Sequence, residues 1–222
     1  MNDWLKEEGS LSATDISTGA LKMRSEGEAG SKHNLAVFLK PLVVLNTQKW
    51  FGEAELRLDA LVVHGGSEGA LYHPQTFRFP RVVDRDDLAG TENGLLVYLG
   101  KPAHFIGISL MLARDSTDSA DLAQLLAAGA ASKEFTDATS ALSALALPSP
   151  HAAALQAGLG AALALGDFAY KLVRQISPSC LGLYRASWLA GKDRFGVGRH
   201  PRQGAHRVKD FEVGYEVLVQ RN

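Results

Sequence analysis

The sequence predicts a mainly β protein with inserted helices: an antiparallel β-sandwich of about seven or eight strands, C2-like or Greek-key in style, with an α-helical insertion between two strand groups. Three observations carry this. Segments such as AELRLDALVVH (Ala54–His64) alternate apolar and polar residues, the signature of a strand with one buried face. Turn residues separate these segments at short intervals, which favours antiparallel pairing. After Asp115 the composition shifts abruptly to Ala and Leu, and strand-like sequence returns only at Cys180.

Residues 1–33 are rich in Ser, Thr, Gly, Glu and Lys, with scattered apolar residues such as Trp4, Leu11, Ile16 and Leu21. Such a segment buries too little surface to offset its chain entropy and is expected to be a flexible tail, with Trp4 and Leu5 as anchors if it docks on a partner. Residues 34–222 are expected to form one domain. Leu35–Leu45 is Val- and Leu-rich, and Pro41 inside it requires an edge, a bulge or a break. In Ala54–His64, Leu56, Leu58, Ala60 and Val62 share one face, and Glu55, Arg57 and Asp59 point the other way. Thr76–Val83, Leu95–Leu99 and His104–Leu112 read as further strands, with a loop at Asp84–Gly94 and a sharp connection at Gly100-Lys101-Pro102.

The helical insertion is expected over residues 117–177. Asp118 is placed as the cap of a first helix starting at Ser119. A second helix is expected over Thr136–Leu147, stopped by Pro148 and Pro150, and a third over Ala152–Ile176, stopped at Ser177-Pro178. In the third, Gly158, Ala162 and Gly166 lie four apart and form a smooth groove that lets another element come close. Cys180–Leu189 and His206–Gln220 complete the strands; in the last, Phe211, Val213, Tyr215, Val217 and Val219 alternate with polar residues or Gly214.

A chain of 222 residues with 46% hydrophobic and 21% charged content can bury a real core. The net charge of −1 argues against general nucleic-acid binding. Cys180 is the one cysteine, so no intramolecular disulfide can form, and a reducing compartment fits. The N-terminus MNDWLKEEGS lacks the basic start and apolar stretch of a secretory signal, and Ala152–Leu165 is too rich in Ala and Gly to span lipid. A soluble, cytoplasmic location is the expectation, with no transmembrane segment.

FGVGRHPRQGAH (Phe195–His206) is the strongest candidate for function. Arg199 and Arg202 supply forked donors for carboxylate or phosphate, His200 and His206 donate, accept or take a proton near neutrality, and Gly196, Gly198 and Gly204 allow exposed amides. The spacing is not that of a P-loop. A second candidate lies in two acidic loops, Asp84, Asp86 and Asp87 in one and Asp115, Asp118 and Asp121 in the other. Calcium takes six to eight oxygen ligands, which clustered carboxylates supply. The arrangement is similar in outline to calcium-dependent C2 domains, which gather aspartates from separate loops of a β-sandwich. That resemblance would imply calcium-gated membrane or ligand binding through Asp84, Asp86, Asp87, Asp115 and Asp118.

Catalysis has weaker support. Ser109 in GISLM lacks the final glycine of Gly-x-Ser-x-Gly and lies within a strand. Cys180 has no local partner that would activate it, and His64, His73 and His104 are scattered among strands. Glu212 and Glu216 stand roughly 13 Å apart along a strand, too far for paired-carboxylate hydrolysis. The expectation is therefore a cytoplasmic, non-enzymatic interaction module without a cofactor. Arg199, His200, Arg202 and His206 are its binding residues for an anionic partner, a protein or a phosphate-bearing molecule. A calcium-dependent C2-like domain is the alternative and an unrecognised hydrolase the second. The Ala-rich insertion offers a surface for self-association.

Overall fold

A computed structural model describes residues 5–9, 33–65, 70–90, 92–115, 119–146, 152–177 and 179–220. The protein is mainly β, with helices between two groups of strands. The strands are β1 (Leu5–Gly9), β2 (Asn34–Val44), β3 (Ala54–His64), β4 (Tyr72–Val82), β5 (Leu95–Gly100), β6 (Phe105–Arg114), β7 (Cys180–Leu189), β8 (Gly198–His200), β9 (His206–Val208) and β10 (Phe211–Gln220). They form two sheets: the first in the order β1-β7-β6-β3-β4, the second in the order β5-β2-β10-β8, with β9 also on β10.

Alternation in β3 and β6 explains the layering. Leu56, Leu58, Ala60 and Val62 of β3, with Ile106, Ile108, Leu110 and Leu112 of β6, join Leu35, Val37, Leu39, Phe211, Val213 and Val217 of the second sheet in one buried cluster. The intervening Leu61, Val63, Phe105 and Met111 face the other way, into a second cluster with the helices. The central strands β3, β6 and β7 are thus buried on both faces, and the helices form a third layer.

The helices are α1 (Leu122–Ala128), α2 (Lys133–Ser143), a 3-10 turn at Ala144–Ala146, and α3 (Ala152–Ile176). The bounds of α3 match the sequence expectation. The first helix starts later than expected, with Asp121 in the cap position, where its backbone N–H donates to the Gln124 side chain at 2.9 Å. Asp118 lies outside the described residues. The second helix starts earlier than expected, because Ser132 Oγ accepts the Phe135 N–H at 3.2 Å and caps it. The smooth groove of α3 meets the rest of the same chain: a Cβ on Gly166 would fall 2.8 Å from Ser109 Oγ of β6, and one on Gly158 would collide with Leu145.

Three differences from expectation have local causes. The sheets are not wholly antiparallel, since β1 pairs parallel with β7 in the register Leu5↔Leu183 to Gly9↔Ser187. β1 lies inside the segment expected to be a tail. Its pairing is made by backbone groups, which a polar composition does not prevent, and Leu5 packs on the helix-side cluster; residues 1–4 and 10–32 of that segment lie outside the described residues. Pro41 sits in a central strand at a bulge, one of the placements expected for it: the register shifts between Val213 and Tyr215, where its missing N–H breaks no regular ladder. The expected last strand folds back at Lys209-Asp210 into the β9–β10 hairpin, pairing Phe211 with Val208.

Candidate functional site

The segment Phe195–His206 is more ordered than a turn. After β7 the chain makes α4 (Ala190–Asp193), where Asp193 accepts the Leu189 N–H at 3.0 Å, and then a 3-10 turn at Arg194–Gly196. β8 then adds to the edge of the second sheet, with His200 opposite Tyr215 and Arg199 opposite Glu216. Period-two alternation therefore separates the two residue types. Tyr215 belongs to the inter-sheet cluster, so His200 shares its inward face, and Arg199 lies with Glu216 on the outer face.

The histidines are absorbed into an aromatic column. The His200 ring lies 4.9 Å from Tyr215 at 18° and 4.4 Å from Trp188. Its Nε2 is 2.7 Å from the Gly196 carbonyl and must carry the proton to donate to it. Trp188 Nε1 donates to Tyr215 Oη at 2.9 Å, and His206 stacks on Tyr184 at 5.4 Å. Gly196 closes the arrangement with φ +69°, and a Cβ there would fall 2.6 Å from the Trp188 indole. Arg199 and Arg202 are exposed. Neither makes an ion pair with a described residue, and Lys192, Arg194 and Arg207 add exposed positive charge around them. Of the four residues singled out in the sequence, His200 and His206 pack on aromatic rings, and Arg199 and Arg202 are exposed.

The acidic loops use their carboxylates on the chain itself. Asp84 accepts the Thr47 N–H at 2.8 Å, Asp86 the Val83 N–H at 2.8 Å, and Asp87 those of Leu42 and Ala89 at 3.0 Å. Asp115 accepts from Arg78 Nε at 3.0 Å and from Ser119 Oγ at 2.5 Å. Asp121 pairs with the same Arg78. No three or more His, Cys, Asp or Glu among the described residues come together as a metal site. Cys180 is buried, its thiol facing the Leu112 and Gly182 carbonyls, and burial pushes its pKa up, away from the thiolate a nucleophile needs. Ser109 lies beneath Gly166 of α3.

Three features escape sequence reasoning. Trp50 and Phe51, on the β2–β3 loop, are 92% and 85% exposed. Arg57 and Asp59 are fully buried on the helix-side face of the first sheet. His64 and His73, scattered in sequence, meet diagonally across the β3–β4 hairpin, with Nε2 atoms 3.1 Å apart and rings 5.2 Å apart. In β3–β4 register Val62 faces His73, and His64 follows Val62 by two residues, so both imidazoles lie on the inter-sheet face. Tyr98 of β5 packs against both, 5.1 Å from His73 and 5.8 Å from His64. Burial lowers both histidine pKa values and raises that of Tyr98. The visible signal for this cluster was the parity of His64 with Val62; the partner position of His73 depends on register.

No known protein family, curated protein or solved structure matches the chain. No helix among the described residues is long and apolar enough to cross a membrane.

Proposed function

We propose that the protein is a cytoplasmic, non-enzymatic binding module on a β-sandwich scaffold, and that it recognises an anionic partner through the loop at residues 192–207. The observation that carries this reading is the division of labour at β8. His200 is fixed between Trp188 and Tyr215, while Arg199 and Arg202 stand exposed without an ion pair to a described residue. A guanidinium held on a rigid edge presents forked donors at little ordering cost, which suits carboxylate or phosphate. Retention on a heparin column under a salt gradient tests it. The wild type elutes at higher salt than the Arg199→Ala, Arg202→Ala double variant; coincident elution removes the loop from the reading. Capture from native lysate with the same pair of proteins then identifies the partner.

Trp50 and Phe51 support a second reading, membrane or ligand docking in the manner of a C2 domain. Two adjacent large aromatics on one loop suit the interface between water and lipid. Their loop is bonded to the Asp84 loop through the Thr47 N–H, so the aromatics and the Asp84–Asp87 carboxylates share one end of the molecule. Sedimentation with anionic vesicles, with calcium and with chelator, separates this reading from the first. Binding that Trp50→Ala, Phe51→Ala abolishes and the arginine variant leaves intact supports docking; no sedimentation in either buffer rejects it.

A further inference from the structure

We infer that the Trp50–Phe51 loop inserts into the interface of a neutral, zwitterionic phospholipid bilayer, without calcium and without a net surface charge to draw it there. The inference rests on the membrane-docking reading above and departs from its calcium-gated form.

The loop is braced so that its two rings point outward. It leaves β2 at Val44 and returns as β3 at Ala54. Thr47 is buried, and its N–H donates to Asp84 at 2.8 Å. The Gln48 N–H donates to Asn46 Oδ1 at 2.8 Å, and the Gln48 side-chain amide donates to Asp210 Oδ2 at 2.5 Å. Lys49 Nζ donates across the loop to the Glu53 carbonyl. Gln48 and Gly52 take positive φ, 57° and 77°, and turn the chain on either side of the tip. Trp50 and Phe51 sit at that tip, 92% and 85% exposed. A braced loop loses little freedom when its tip is buried, so most of the gain from removing the rings from water is kept.

A third apolar side chain lies beside them. Val82 stands opposite Ala54 in the β3–β4 register, and Asp84 bonds Thr47, so residues 82–84 run along the base of the loop. Val83, between them, is 45% exposed.

Charge decides the kind of bilayer. Residues 47–54 and 81–86 carry Lys49, Arg81 and Arg85 against Glu53, Asp84 and Asp86, a balance of zero. Asp210, which the Gln48 amide reaches, is itself paired with Lys209 at 3.3 Å. Glu55 and Asp87, just beyond, add negative charge that an anionic leaflet repels. Attraction to anionic lipid needs a basic excess, and these segments have none. Calcium needs carboxylates that converge on it. Asp84 and Asp86 instead accept the Thr47 and Val83 N–H groups, and no three His, Cys, Asp or Glu come together among the described residues. Apolar area and the amphipathic indole are left as the driving groups, and both suit the interfacial zone of a neutral bilayer. A bilayer also receives a projecting tip without a matching pocket.

The test sediments the full chain with vesicles of phosphatidylcholine alone and of phosphatidylcholine with phosphatidylserine, in calcium and in chelator, at low and high salt. The expected result is similar binding to both vesicle types in every buffer, with a blue shift of tryptophan emission as Trp50 leaves water. Phe51→Ala weakens partitioning about tenfold. Trp50→Ala with Phe51→Ala removes it while the circular dichroism stays native, since both side chains stand clear of the core. Binding that needs calcium, or that needs phosphatidylserine and is lost in high salt, overturns the inference and leaves docking in place. Binding that survives in the double variant overturns it as well. No sedimentation in any mixture removes the docking reading and this inference with it.

Discussion

Arg57 and Asp59, two residues apart on β3, form a fully buried two-point ion pair, Nε to Oδ2 and Nη2 to Oδ1, each at 2.7 Å. The fork continues outward. Arg57 also donates to Ser119 Oγ at 2.7 Å and to the Ala120 carbonyl at 3.0 Å, and Thr76 Oγ1 donates to Asp59 at 2.6 Å while accepting the Leu122 N–H at 2.8 Å. The pair therefore ties the chain entering α1 to β3 and β4. Period-two alternation puts both side chains on the face away from the inter-sheet core, and the helical layer then closes over them.

Removing one partner strands the other charge in the interior. Asp59→Ala is expected to destabilise the fold by about 3–5 kcal/mol, because Arg57 keeps its charge without its main acceptor. Replacing both, as Arg57→Met with Asp59→Leu, costs less than the sum of the single changes, since neither partner of the pair is left behind unpaired; Asp115, 3.7 Å from Arg57, keeps its bond to Arg78. Urea denaturation of the two single variants and the double variant closes the cycle. Additive costs would mean that the two residues act independently.

The same strand marks how far the sequence was legible. The bounds of β3, β7 and α3 followed from periodicity and from Pro178, because the cues were local. The alternation in β3 gave the right two faces for Arg57 and Asp59. It could not show that the polar face is buried, because a third layer supplied by residues 122–176 decides that. β1 was missed because edge pairing runs through backbone groups and leaves no apolar pattern. In the loop at residues 195–206 the types of the four residues were visible, but their division into scaffold and donors was not. That division follows from the register of β8 on β10, which no local signal sets.

The histidine pair makes stability depend on pH. Burial holds both folded pKa values below the ordinary 6.5, with Tyr98 a neutral neighbour, so the unfolded chain binds protons more readily. Stability is full above pH 6.5 and falls as pH drops through that value toward the folded pKa values. The urea midpoint at pH 5.5 is expected to lie below that at pH 7.5, with a smaller gap in His64→Gln, His73→Gln. A gap unchanged in that variant would place the acid sensitivity elsewhere.

Cys180 is expected to report on global opening. Its thiol is buried, held near the Leu112 carbonyl, and its pKa is raised by desolvation. Ellman's reagent at pH 8 should label it slowly in native buffer and completely in denaturant. Fast stoichiometric labelling of the native protein would show that the start of β7 opens locally.

Gly196 joins the stability of the chain to the geometry of its arginine loop. It holds φ +69°, which costs a residue with a side chain about 1–2 kcal/mol. The added Cβ would also lie 2.6 Å from the Trp188 indole, whose Nε1–H bonds Tyr215 and whose face carries His200. Gly196→Ala must therefore push Trp188 or β8 aside, at a total cost of about 2–4 kcal/mol. A lower Tm together with a red-shifted tryptophan emission is the expected result, because the displaced indole gains water. Heparin retention should weaken in this variant although Arg199 and Arg202 are intact, since their donors are positioned by the stack beneath them. Unchanged retention at a lowered Tm would mean that the two arginines act as mobile charges and that the aromatic column serves the fold alone.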